Sequence, residues 1–228
     1  MENFLRRLKL YGIGFGIGLV CVFFFFKNRG CAWLPENRVK STILERVIVV
    51  HSDEIKTFRA LALNEKKLSE LILNADVAFS ESKKQGEPKA YKLVGELPNG
   101  KSIDFILTLP DRSVVCELKL KNTKIKQVKN SIEGRGFPVL FPKNKGLFYL
   151  GLDKEILTNL RIKGIAKSEQ LMKIVRIHGF VDFEKSSFSG EKPNCCWVIN
   201  HPQHKFSLQT FWYKEKIEIT AFEELESR

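Results

Sequence analysis

The sequence predicts an α+β protein in which an N-terminal transmembrane helix is followed by two tandem repeats, each a helix packed on a small antiparallel β-meander. Three observations carry that expectation. Residues Tyr11 to Phe26 form an uncharged run, "YGIGFGIGLVCVFFFF". Two later stretches of about seventy-five residues repeat one order of apolar runs, turns and polar breaks. Within each stretch the apolar spacing passes from a helical period to a period of two.

The first element is the anchor. As a helix, residues 8–26 would be about 28 Å long, close to the ~30 Å hydrocarbon core of a bilayer. Arg6, Arg7, Lys27 and Arg29 stand ready at its two ends to reach headgroups. Tyr11, Gly12, Gly16, Phe23 and Phe26 define it: the aromatics supply transfer free energy, and the Gly12/Gly16 pair would let another helix approach. A phosphate loop is excluded, because the glycines recur every second residue and never as G-x-G-x-x-G. A cleaved secretion signal lacks a small-residue site, since Phe26 runs directly into Lys27. Basic residues flank both ends, so the side holding the C-terminal region stays open.

The remaining chain divides into a first repeat (31–120), a basic connector broken by Gly134, Gly136, Pro138 and Pro142 (121–146), and a second repeat (147–228), after the tail and anchor of 1–30. A hydrophobic fraction of 43% and a charged fraction of 28% suit a globular body. Net charge over the 228 residues is +12, of which residues 1–30 account for +4. That balance favours an anionic surface nearby, lipid headgroups or nucleic acid, beside any protein partner. The five cysteines (Cys21, Cys31, Cys116, Cys195, Cys196) are odd in number with two adjacent, which is no disulfide framework.

Each repeat opens on a short strand, "VIVV" (47–50) or "LFYL" (147–150), followed by an Asp53 or Asp153 loop. A helix follows, with Leu68, Leu71 and Ile72 in one copy and Leu171, Ile174 and Val175 in the other at helical spacing. Val77, Phe79 and Ser82 then match Val181, Phe183 and Ser186, and Gly86-Glu87 matches Gly190-Glu191. Three strands should complete each copy. Alternation is clear in Ile103, Phe105, Leu107 and Leu109, and again in Phe206, Leu208 and Trp212. Asn99-Gly100 and Pro202 mark the hairpin turns.

The opening run, "CAWLPENRVKSTI" and "LILNADVAFSES" together resemble small membrane-anchored proteins of Bacteroidetes that carry the domain of unknown function 4258. That domain's pattern, a helix ending in G-x-V-x-F-x-x-S, is present as Ala75, Val77, Phe79, Ser82 and as Gly179, Val181, Phe183, Ser186, the first copy departing at Ala75. More distantly, the domain resembles the α+β fold of ribonuclease-type bacterial toxins. The resemblance implies a bacterial protein, single-pass in the inner (cytoplasmic) membrane, with the lipid bilayer as partner of the N-terminal helix. It implies no catalytic residue.

Candidate chemistry is sparse. Asp104 and Glu117-x-Lys119 match the D…E-x-K arrangement of a metal-dependent nuclease, in which two carboxylates hold Mg²⁺ and the lysine steadies the attacking water. Period two puts Glu117 and Lys119 on one strand face, where they could equally be the solvent side of an amphipathic hairpin. His201 and His204, with Cys195 or Cys196, suggest a zinc site but lack a fourth ligand, and the two cysteines must point to opposite faces. Ser82 and Ser186 lack a nucleophile elbow and read as backbone-turning serines. His51 and His178 are isolated structural histidines. The expected function is a membrane-anchored, non-enzymatic binding or scaffolding module without cofactor. The alternatives are the nuclease, with Mg²⁺, and a degenerate toxin-like RNA-binding module.

Overall fold

The computed structural model describes residues 2–27, 34–120, 124–144, 146–150 and 153–226, with side chains in the first helix described from Arg7 to Phe23. Two compact units result, Met1–Val39 and Lys40–Arg228. The first contains α1 (Glu2–Lys27), which carries Tyr11, Gly12, Gly16 and Phe23. The side chain of Phe26 lies outside the described residues. Among the described residues no helix is long and apolar enough to cross a membrane. This corrects the expected transmembrane anchor, and with it the single-pass inner-membrane location. The uncharged run after Lys9, Leu10 to Phe26, is about 26 Å long as a helix, somewhat short of a ~30 Å core. Gly12, Gly14, Gly16 and Gly18 add no side chain to it.

After α2 (Pro35–Leu44), the second unit runs β1 (Val47–His51), α3 (Ile55–Ala60), α4 (Glu65–Asn74), β2 (Asp76–Val77), β3 (Lys89–Glu96), β4 (Ser102–Leu109) and β5 (Val115–Lys119). Then come β6 (Arg135–Leu140), β7 (Phe148–Tyr149), α5 (Lys154–Ile162), α6 (Ser168–His178), β8 (Gly179–Ser187), β9 (Asn194–Asn200), β10 (Lys205–Tyr213) and β11 (Lys216–Glu224). The strands form one 11-stranded mixed sheet in the order β2-β3-β4-β5-β1-β6-β8-β9-β10-β11-β7. Two separate small meanders were expected, and that expectation is corrected. In each half the last strand returns beside the first in parallel, β5 on β1 and β11 on β7. The connector supplies β6, which is antiparallel to both β1 and β8. The backbone groups that two isolated meanders would leave open at their edges are thereby paired along the join.

The helices fall on opposite faces of this sheet. Leu68 and Ile72 of α4 are buried at 1% and 0% exposure, each contributing about 1.5–3 kcal/mol. Their helix sits over the face bearing Leu93 and Gly95, so closely that a Cβ on Gly95 would lie 2.7 Å from Leu71. Register carries that face through Phe105, Leu107 and Leu118 to Val50 and Phe137. Leu171 and Val175 of α6 instead pack with Val181, Trp197, Leu208 and Phe206 on the other face. Helix starts follow from local chemistry. Asn64 accepts the Lys67 N–H at 2.9 Å, and Asp153 accepts those of Glu155 and Ile156.

Candidate functional site

On the face of the first half opposite α4, cover comes from a strap of residues 124–134, which opens with a single 3-10 turn, Ile125–Gln127. Ile125 and Val128 of the strap pack on Ala90 and Ile106. The strap is pinned at its far end by Glu117, which is 3% exposed. One carboxylate oxygen of Glu117 accepts the Ser131 backbone N–H at 3.1 Å, and the other accepts the Ser131 hydroxyl at 2.5 Å. Lys119 Nζ lies 3.2 Å from Glu117 and donates to Ser131 Oγ at 3.4 Å. A buried carboxylate in an apolar surround is tolerable only when its lone pairs are engaged in this way.

Glu117 and Lys119 thus come together, as their strand period predicts, and Asp104 does not join them. Thr108 is the register partner of Glu117, and Asp104 lies four residues further along β4, about 13 Å away on the same face. There Asp104 pairs with Lys92 at 3.0 Å, and Lys92 also holds Glu81 at 2.7 Å. The Glu81 hydrogen bond first, and the Asp104 one next, raise the Lys92 ammonium above its ordinary value. Two carboxylates this far apart cannot share one Mg²⁺, whose ligands stand at ~2.1 Å.

His201 and His204 flank a tight turn whose backbone groups bond reciprocally, at 3.1 and 3.2 Å. Sequence spacing gave no hint that His178, at the end of α6, packs edge-on to His201 with ring centroids 4.9 Å apart. His204 stacks on His201 at 5.8 Å. Among the described residues no group of three or more His, Cys, Asp or Glu could hold a metal ion. Cys195 belongs to the core under α6 and Cys196 to the small cluster on the opposite face. Burial pushes the Cys195 thiol well up, Cys196 to about 11 and Cys116 to about 12, so these sulfurs stay protonated. Cys31 lies outside the described residues.

Ser82 and Ser186 have equivalent jobs. Ser82 Oγ donates to the Ala78 carbonyl at 2.7 Å and accepts the Lys92 N–H. Ser186 Oγ donates to the Asp182 carbonyl at 2.6 Å and accepts the Cys196 N–H. In both copies the hydroxyl ties its own turn to the strand ten residues on. Val77 and Val181 are both buried, whereas the aromatic position diverges. Phe183 is a core residue stacked on His51, and Phe79 is half-buried against Tyr91.

These two serine-pinned turns and the strap enclose a cleft of about 390 Å³. Lys83, Glu87 and Pro88 line it from the first turn, Ser186 to Ser189 from the second, and Lys126 to Ile132 from the strap. None of its lysines stands out in the sequence. The usable signal was the alignment of "KKQGEPKA" with "SFSGEKPN", two turns in corresponding positions. No protein-family model, curated protein or solved structure matches the chain.

Proposed function

We propose that the chain is a non-enzymatic binding module whose recognition surface is the strap-covered side of the sheet. What supports this reading is the engagement of its acids: Glu117 is consumed by Ser131 and Lys119, and Asp104 is consumed by Lys92. Neither carboxylate is presented to a metal, and the two are about 13 Å apart, whereas hydrolysis of a phosphodiester by a D…E-x-K site needs both on one cation. The net charge of +12 favours an anionic ligand. Incubating the chain with end-labelled single-stranded RNA and duplex DNA in Mg²⁺ tests the reading. No cleavage above the buffer rate is expected. Cleavage that disappears in Lys119→Ala would overturn it in favour of the nuclease.

A further inference from the structure

Resting on that binding reading, we infer that the cleft between the two serine-pinned turns is a phosphoryl site of nucleotide size. The cleft is symmetric in origin: the 83–88 turn follows Ser82 and the 187–192 turn follows Ser186. Each contains a glycine in the left-handed region, Gly86 at φ +75° and Gly190 at φ +100°. Neither half forms the cleft alone.

Its chemistry is cationic at one side and aromatic at the other. Lys83 Nζ donates to the carbonyls of Glu87 at 3.2 Å and Val128 at 3.4 Å. These bonds fix the ammonium at the junction of turn and strap and leave its third hydrogen for a ligand. Lys126 and Lys129 are exposed along the strap and pair with no acid among the described residues. The one carboxylate at the wall, Glu87, is turned onto the Asp111 N–H at 3.0 Å. Three ammonium groups, with the one acid among the lining residues turned away, suit the clustered oxygens of a phosphate or pyrophosphate. Phe188, half-buried and edge-on to Phe183 at 5.9 Å, lines the same cleft and offers a ring for a nucleobase. A volume of about 390 Å³ takes one nucleotide and excludes a duplex.

Calorimetric titration of the full chain with ADP and with inorganic pyrophosphate tests the assignment. Both are expected to bind with Kd at or below ~1 mM, more weakly at high ionic strength. Lys126→Ala/Lys129→Ala should weaken both by about tenfold or more. Phe188→Leu, which keeps an apolar side chain against Phe183 but removes the ring, should weaken ADP and spare pyrophosphate. Absence of binding, or an unchanged Kd in the double variant, overturns the site. ADP binding no tighter than pyrophosphate, or untouched by Phe188→Leu, overturns its nucleotide character. Phosphate release from ADP, followed in the same mixtures, would instead refute the non-enzymatic reading while the cleft assignment stands.

Discussion

Replacing Glu117 by alanine removes the acceptor for both Ser131 donors and strands the Lys119 ammonium, whose side chain is 18% exposed. Truncating one partner of a buried, hydrogen-bonded ion pair costs about 3–5 kcal/mol, largely because the other charge is left without compensation. Against a total stability of roughly 5–15 kcal/mol, that is a large fraction. For a unit of this size it corresponds to a drop of about 6–20 °C in melting temperature. Urea unfolding followed by circular dichroism gives the free energy, and hydrogen exchange at Val128 to Ile132 shows whether the strap opens first. The Glu117→Ala/Lys119→Met double variant should recover about 1–3 kcal/mol relative to Glu117→Ala, because the stranded charge is gone. A cost below about 1 kcal/mol for Glu117→Ala, or strict additivity in the double variant, would refute the clamp.

The motif glycine Gly179 should also be sensitive. A Cβ there would lie 2.5 Å from the Val175 carbonyl oxygen, so Gly179→Ala is expected to cost about 1–3 kcal/mol in the same urea assay. Of the described thiols, exposed Cys21 should react with a thiol reagent in the native state, while Cys116, Cys195 and Cys196 react only as the protein unfolds. The same burial sets an alkaline limit. Folded thiol values above the ordinary 9.0 contribute stability that is complete below pH 9 and lost as pH rises toward 12. The slope is about 1.4 kcal/mol per pH unit per thiol, and Cys116→Ser is expected to flatten it. Glu65 is raised by burial, with Arg176 opposing at 3.1 Å, so its contribution is full below pH 4.5 and fades above it. Glu65→Gln should remove that acid-side slope from the urea midpoints.

Local periodicity made some elements readable. Leu68, Leu71 and Ile72 are buried in α4, and Phe105, Leu107 and Leu109 are buried on β4. Glu117 and Lys119 share a strand face because side chains alternate with a period of two. The pairing of the halves was not readable. β6 contains Gly136 and Pro138, residues that argue against a strand inside a sheet, yet Val49 pairs with Pro138 beside an irregularity in register. Phe183 explains the glycine: a Cβ on Gly136 would lie 2.6 Å from its ring. No window of sequence encodes that contact, nor the approach of His178 to His201 across 23 residues. Ser131 escaped notice for the same reason. It lies in an irregular strap, and its importance comes wholly from the buried Glu117 beneath it.

The join between the halves is narrow. β6 and β8 register through only Arg135 with Asp182 and Gly136 with Val181, reinforced by the Phe183 N–H donating to the Gly134 carbonyl. Ladders elsewhere range from two pairs, between β2 and β3 or β11 and β7, to eight between β3 and β4. Beneath the short β6–β8 ladder the core is continuous, Val47, Val49 and Val115 of one half packing in the same cluster as Val181, Phe183 and Trp197 of the other. The strap and the two turns lie beside that join, so a ligand seated among them would touch both halves at once and add a further tie between them.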